Sequence, residues 1–292
     1  MALLFWASTV GFSRIATEAV GHFTAAALVF LAAGLISCAW SVVASTFRGM
    51  FRHPRRYLFG CGGLFAFYTV SLYLAIGLSE DRHVTVEVAL VNYLWPATVL
   101  LFSVPILGAR WKWTLILGVL MALAGISLGA ADVHGLTVRG LFEHVRANAP
   151  AFAGGLAAAV SWGLYSNLTR RWGDPSAPGA VPLFMLVTGL LLGAIRLLYP
   201  EPSRWTADAL LAILYLSFFP TVLSCIFWDL SMRTGRFVIV GAASNLTPLF
   251  STVITCALLG ARPGALLWVG ACLVGAGAVV CRLSLQEAGE SS

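Results

Sequence analysis

Runs of about 20 consecutive apolar residues, separated by short polar stretches, occupy almost the whole of this chain. Such a run is long enough for one helix to cross the hydrocarbon core of a bilayer. Of the 292 residues, 59% are hydrophobic and only 10% are charged, whereas about 25% are charged in a typical soluble domain. Lipid offers the backbone no hydrogen-bond partner, so a helix, which pairs its own N–H and C=O groups, is the expected element. The sequence therefore predicts an all-α membrane protein.

The apolar runs predict ten transmembrane helices. They cover residues 2–19, 22–45, 56–78, 84–107, 111–131, 151–171, 179–198, 207–230, 236–259 and 264–283. The longest polar stretch separates the first five runs from the last five. The predicted organisation is a first half at 1–131, a connecting loop at 132–150, a second half at 151–284 and a tail at 285–292.

The basic residues indicate the orientation. With the N-terminus in the cytoplasm, eleven of them fall on the inner side and six fall in the outer loops. Cytoplasmic loops of membrane proteins carry the excess of Lys and Arg, so both termini are predicted to be cytoplasmic. The net charge of +6 is spread in ones and twos between apolar runs. This pattern argues against a nucleic-acid partner and for the lipid bilayer as the surroundings.

The two halves share a sequence pattern. Leu-Gly-Ala-Arg at positions 107–110 recurs at positions 259–262, 152 residues later. At this offset Pro96 pairs with Pro248, Gly118 with Gly270, and Gly125 with Gly277. Asn92 pairs with Asn245 at an offset that is one residue longer. An offset of 156 relates Trp6 to Trp162 near the start of each half. Because each half has an odd number of helices, the second half is predicted to enter the membrane inverted, an architecture typical of secondary transporters.

This repeated pattern of Pro, Leu-Gly and two glycines seven residues apart resembles the drug/metabolite transporter superfamily with its EamA-type repeats. Asn-Tyr-Leu-Trp-Pro at positions 92–96 is similar to the aromatic amino acid exporters of the YddG type. The family commonly has Glu after Leu-Gly, where this chain has Ala109 and Ala261. The resemblance implies export of aromatic amino acids and related small aromatic compounds across the bacterial inner membrane by alternating access.

Two prolines inside predicted helices point to a binding site. Pro96 and Pro248 each free the carbonyl four residues back, at Asn92 and Ser244. An amide side chain, Asn92 or Asn245, lies beside each break. Broken helices at membrane depth line protein or water, so these five residues are candidates for a substrate-binding site. Two ordinary packing kinks are the alternative, because proline is common in membrane helices.

Aromatic residues supply further candidates for substrate binding. Trp162 and Tyr165 lie at helical spacing in the sixth predicted helix, and Trp95 lies beside Pro96. Tyr73 in the third helix is similar. Such rings can stack on an aromatic substrate and bind its polar atoms, and they can hold an ammonium group by cation–π attraction. Anchoring at the membrane interface, where Trp and Tyr are enriched, is the alternative.

Two acids in or near the membrane are candidates for proton coupling. Glu87 and Asp229 qualify because an ionisable residue in a transmembrane segment is a functional candidate by default. Asp229 precedes Arg233 by four residues, which also fits a local ion pair. Glu87 lies one turn from His83 near the outer end of its helix, where it is also expected to reach water.

The motifs of several other protein classes are missing from the sequence. There is no phosphate-binding loop and no nucleophile or metal-ligand motif, so we expect neither an enzyme nor a bound metal or cofactor. The expected partner is a small molecule, and the protein is expected to be a monomer or a homodimer. An exporter of other metabolites or drugs, a channel and a lipid scramblase remain alternatives, and transport direction and coupling ion remain open.

Overall fold

A computed structural model describes residues 2–134, 138–234, 247–260 and 264–286. Within these ranges the protein is an all-α membrane protein, apart from one pair of two-residue strands. The helices are α1 (Ala2–Val20), α2 (His22–Val43), α3 (Gly62–Leu78), α4 (Arg82–Asn92), α5 (Trp95–Leu107), α6 (Thr114–His134), α7 (Val138–Ala147), α8 (Ala149–Trp172), α9 (Val181–Leu198), α10 (Ala207–Leu216), α11 (Ser224–Thr234), α12 (Thr247–Leu259) and α13 (Ala265–Leu283).

Short elements join or extend these helices. A 3₁₀ turn covers Phe47–Arg52, and π-helical turns cover Arg56–Cys61 and Ser217–Leu223. The strands β1 (Arg110–Trp111) and β2 (Leu285–Gln286) pair antiparallel. The end of α5 and the end of α13 therefore lie at the same end of the bundle.

Six helical stretches in the described ranges are long and apolar enough to cross a membrane. They are His22–Val43, Arg56–Leu78, Arg82–Leu107, Val181–Leu198, Ala207–Arg233 and Ala265–Leu283. These six correspond to six of the ten predicted segments. The helices α1, α6, α8 and α12 correspond to the other four. Residues 236–246 of the ninth predicted segment lie outside the described residues.

The fourth predicted crossing is broken near its middle. α4 ends at Asn92 and α5 begins at Trp95, with a turn between them. Pro96 has no N–H to donate to the carbonyl of Asn92. Its fixed backbone angle suits the first turn of a new helix instead. The break therefore falls where this proline predicts it.

Glycines bring α6 and α13 into backbone contact. A Cβ added at Gly118 would lie 2.7 Å from the carbonyl oxygen of Gly277. One added at Gly125 would lie 2.5 Å from the carbonyl oxygen of Gly270. The order of these pairs means that the two helices run antiparallel. Small residues allow helices to approach this closely in membranes.

A second antiparallel pair has the same character. A Cβ at Gly34 of α2 would lie 2.5 Å from the backbone of Leu186 in α9. One at Gly189 of α9 would lie 2.5 Å from the backbone nitrogen of Leu31. In the predicted repeat the second segment (α2) corresponds to the seventh (α9), and the fifth (α6) corresponds to the tenth (α13). Both contacts therefore join equivalent helices of the two halves.

Replacing Gly277 with alanine tests the close contact between α6 and α13. The added methyl group meets backbone atoms that cannot rotate away, and overpacking of this kind costs about 1–3 kcal/mol. We expect a lower thermal midpoint for the Gly277→Ala variant in detergent. Gly63→Ala is the matched control, because no atom of the described residues lies within 4 Å of a Cβ at Gly63. Equal midpoints for the two variants would contradict the packing described.

Candidate functional site

A small cavity lies where helices from both halves meet. Its volume is about 50 Å³. The lining residues are Trp6, Thr9, Val10, Phe30, Tyr68, Thr69, Leu72, Tyr73, Asn92, Tyr93, Trp95, Trp162, Pro220, Thr221 and Cys225. A water molecule needs roughly 10–15 Å³ of such space, so the cavity has room for a few waters. An aromatic ligand would require the walls to move apart.

Four tryptophans form the aromatic cluster at this cavity. Trp6 contacts Trp95, Trp162 and Trp228 with ring centroids 6.0, 5.4 and 5.3 Å apart. Trp228 also contacts Trp95 at 5.2 Å. Several of these contacts are edge-to-face, an arrangement that aromatic rings favour. Trp6 and Trp162, which correspond in the predicted repeat, thus meet at the contact between the halves.

Hydrogen bonds hold two of these indoles in place. Nε1 of Trp6 donates to the carbonyl of Pro220 over 2.9 Å. Pro220 lies in the π-helical turn Ser217–Leu223, which interrupts the eighth predicted crossing. Nε1 of Trp228 donates to the hydroxyl of Ser166 over 3.1 Å, and that hydroxyl donates to the carbonyl of Trp162. The ring orientations are therefore set by polar contacts as well as by packing.

Asn92 is the main polar side chain of the cavity wall. It is 5% exposed. Its oxygen Oδ1 accepts no hydrogen bond from the described residues. A buried acceptor without a donor costs free energy, and such atoms are often found where a ligand binds.

The structure brings together four of the predicted binding residues: Tyr73, Asn92, Trp95 and Trp162 all line the cavity. Tyr165 lies behind it, with its ring 5.1 Å from that of Trp162.

The remaining predicted binding residues lie elsewhere. Pro96 is buried at the start of α5 and does not line the cavity. Ser244, Asn245 and the side chain of Pro248 lie outside the described residues.

Sequence reasoning missed several cavity residues. Tyr68 and Tyr93 line the cavity, and Trp228 lies directly behind it. Cys225 and Thr221 line it from the eighth crossing. One signal was present in the sequence: Pro220, another proline inside an apolar run, marks a second helix interruption close to these residues.

Asp229 forms the predicted ion pair with Arg233, whose Nε donates to Oδ2 of Asp229 over 2.8 Å. The hydroxyl of Tyr57 donates to Oδ1 over 2.9 Å. Arg233 also donates to the carbonyl of Ala177 over 2.6 Å. This Tyr57–Asp229–Arg233 network thus joins the third and eighth predicted crossings and the loop between α8 and α9.

The expectation that Glu87 reaches water is wrong. Its side chain is 4% exposed, and its Oε2 lies 2.6 Å from Nε2 of His144. His144 belongs to α7, the helix in the predicted connecting loop. Burial lowers the pKa of His144, and the nearby carboxylates of Asp81 and Glu80 oppose that shift. Glu87 therefore connects the fourth crossing to the connecting helix.

A second charged network lies at the end of the bundle that carries α7. Glu18 binds Arg14 and Arg82, each over 2.8 Å. Arg14 also donates to the carbonyls of Ile76 and Ser79. These contacts tie the ends of α1, α3 and α4 together.

The EamA-like transporter family matches residues 1–129 and again residues 150–283. This chain belongs to the EamA-like transporter family. The two matches cover nearly all of the two predicted halves. Family membership points to a transporter rather than an enzyme, and with the apolar helices it indicates a multi-pass protein of the bacterial inner membrane.

Several relatives are named aromatic amino acid exporter YddG. The one from Salmonella typhimurium is 26% identical over 98% of this chain and 96% of its own length. The one from Ancylobacter novellus is 31% identical over 97% of this chain and 94% of its own length. A solved crystal structure with 30% identity has a TM-score of 0.71 and covers 97% of this chain and 94% of that chain. The resemblance predicted from the repeated motif is thereby confirmed.

Removing the hydroxyl of Tyr57 tests the network around Asp229. In Tyr57→Phe one oxygen of a buried carboxylate loses its donor, and hydrogen bonds to charged groups are worth about 1.5–3 kcal/mol. We expect a lower thermal midpoint in detergent. Tyr199→Phe is the control, because Tyr199 is 64% exposed. If both variants melt at the wild-type temperature, the hydrogen bond does not contribute to stability.

Proposed function

We propose that this protein is a secondary transporter that exports aromatic amino acids and related small aromatic compounds across the bacterial inner membrane by alternating access. The observation that carries the proposal is the aromatic cluster of Trp6, Trp95, Trp162 and Trp228 at the cavity. Flat aromatic rings stack favourably on such a wall. The relatives named as aromatic amino acid exporters support the same substrate class.

The proposed architecture is ten helices in two inverted halves, with both termini cytoplasmic. Two observations support it. First, α6 and α13 run antiparallel, as counterparts in inverted repeats must. Second, α1 packs against α10 and α12, while α8 packs against α3 and α5. In the predicted repeat α1 corresponds to α8, α10 to α3 and α12 to α5. The contacts of α1 are therefore the counterparts of the contacts of α8.

Inverted halves give a physical route to alternating access, because each half can adopt the conformation that the other now has. The network around Asp229 and the network around Glu18 lie at opposite ends of the cavity. We propose that they close the two ends in turn. Opening the cavity toward the cytoplasm would then require the hydrogen bond between Tyr57 and Asp229 to break.

Asn92, Trp95, Trp162 and Tyr73 form the proposed substrate site, with Tyr165 supporting Trp162 from behind. Pro96 contributes by ending α4 and so placing Asn92 and Trp95 at the break. Its predicted counterpart Pro248, with Ser244 and Asn245, remains a proposal from the sequence. The binding role of all these residues is a hypothesis that transport measurements test.

Replacing Trp162 with alanine tests the site. In proteoliposomes we expect the ratio kcat/KM for tryptophan to fall by about two- to tenfold, because stacking contacts of this kind are worth roughly 0.5–1.5 kcal/mol. Trp113→Ala is the matched control, since Trp113 is 71% exposed. An unchanged ratio in Trp162→Ala would remove Trp162 from the site. Unsaturable flux in the wild type would instead favour a pore.

Of the two acids, Glu87 is the better candidate for proton coupling. Asp229 is bound by Arg233 and Tyr57, whereas Glu87 is paired with His144, and histidine is the side chain whose ordinary pKa lies closest to neutral pH. A pair of this kind exchanges a proton more readily than a carboxylate bound to arginine.

Glu87→Gln tests this coupling. Transport is measured between about pH 5 and 8, the range in which histidine titrates. We expect a flatter pH profile than that of the wild type. Glu143→Gln, which changes an exposed carboxylate next to His144 on α7, should keep the wild-type profile. Identical profiles for the wild type and Glu87→Gln would end the proposed role of Glu87.

A further inference from the structure

The four indoles of the aromatic cluster differ in what their N–H groups do. Those of Trp6 and Trp228 donate to the carbonyl of Pro220 and to the hydroxyl of Ser166. Trp95 and Trp162 are 5% and 4% exposed and line the cavity. The described residues supply no hydrogen-bond acceptor to either of their N–H groups. A buried donor without an acceptor costs free energy, so a ligand acceptor would be bound favourably here.

A carboxylate is the ligand group that fits this pair of donors. It has two oxygens that only accept hydrogen bonds, whereas an indole N–H only donates. Trp95 and Trp162 are held beside each other by the other two indoles. The ring of Trp6 lies 6.0 Å from that of Trp95 and 5.4 Å from that of Trp162, and the corresponding distances from Trp228 are 5.2 and 6.0 Å.

The same wall carries an acceptor. Oδ1 of Asn92 is buried and accepts no hydrogen bond from the described residues. Asn92 ends α4 and Trp95 begins α5, so the acceptor and one of the two donors lie on either side of the same helix break. An ammonium group only donates hydrogen bonds, and it is also attracted to the face of an indole ring. The amide of Asn92 is therefore complementary to the amino group of a ligand.

The wall itself is uncharged. None of the described residues that line the cavity carries a charge. An ion that is buried without a partner of opposite charge pays a large desolvation cost. A ligand with one net charge would pay that cost in full. An α-amino acid carries an ammonium group next to its carboxylate, so each charge has a partner within the ligand.

From these contacts we propose that the cavity selects net-neutral α-amino acids, with Trp95 and Trp162 donating to the carboxylate and Asn92 accepting from the amino group. The proposal rests on the transport function given above and narrows its substrate class. Aromatic compounds that carry only an amine or only a carboxylate are bound poorly. Trp95, Trp162 and Asn92 thereby become specificity-determining residues.

Competition in proteoliposomes near neutral pH tests this selectivity. Uptake of labelled tryptophan is measured against unlabelled tryptophan, tryptamine, which is a cation, and indole-3-propionate, which is an anion. The Ki of each analogue should be at least about tenfold higher than that of tryptophan, because each loses a hydrogen bond made by a charged group. A Ki within about threefold of that of tryptophan for either analogue would overturn the proposal.

Conservative variants test the two indole donors. Trp95→Phe and Trp162→Phe keep an aromatic ring and remove the N–H group. Both should weaken the binding of tryptophan but not of tryptamine, so the ratio of the tryptamine Ki to the tryptophan Ki should fall by at least about threefold. Trp172→Phe is the matched control, because Trp172 is partly buried but does not line the cavity. A wild-type ratio in both test variants would contradict a carboxylate site at these indoles.

Two variants test Asn92. Asn92→Leu removes the acceptor at similar volume and should raise the Ki of tryptophan while leaving that of indole-3-propionate unchanged. Asn92→Asp adds a negative charge to the wall, so tryptamine should then inhibit at least about tenfold more strongly than indole-3-propionate. Asn148→Leu is the matched control, because Asn148 is also buried but does not line the cavity. An unchanged Ki of tryptophan in Asn92→Leu would contradict the role of Asn92.

A binding measurement separates this proposal from the transport function. The thermal midpoint of the purified wild-type protein is followed with tryptophan, tryptamine and indole-3-propionate at equal concentration. Stabilisation by tryptophan alone supports the net-neutral site even if tryptophan is not transported. Transport of tryptophan together with equal stabilisation by all three compounds would leave the transporter intact and refute the selectivity.

Discussion

The hydrocarbon interior of a bilayer offers no hydrogen bond to the protein backbone, and this constraint organises the whole structure. A helix can be interrupted only where other protein groups surround the break. The turn after Asn92 and the π-helical turn Ser217–Leu223 are two such interruptions. They are linked through Trp6, which donates to the carbonyl of Pro220 and lines the same cavity as Asn92. The cavity therefore lies where the backbone is irregular.

Helix association in lipid cannot rely on burying apolar surface from water, because the lipid is itself apolar. The structure uses two other sources of stability. Glycines let α6 and α13 approach to backbone contact. The buried carboxyl group of Asp229 is tolerated because both of its oxygens have a donor, one from Tyr57 and one from Arg233. These polar contacts are specific in direction, which suits a protein that must change between defined conformations.

Much of the fold and part of the site follow from local sequence. The break at Pro96 and the ion pair between Asp229 and Arg233 were predictable, since proline chemistry and helical spacing relate residues on one helix. The pairing of Glu87 with His144 was not, because these residues are 57 positions apart and meet only when α7 packs beside α4. Trp228 was missed for the same reason.

The order and position of the apolar runs, the repeated motif and the family were all readable from the amino-acid sequence. The length of an apolar run and the spacing of residues within it depend only on residues that are close together in the chain, and the sequence gives both directly. The folded structure alone decided that Trp6, Trp95, Trp162 and Trp228 meet, and that Asn92 has an unsatisfied oxygen among them. Which face of each helix turns inward depends on its rotation about its own axis. That rotation is set by contacts between helices, not by the residues of any one of them.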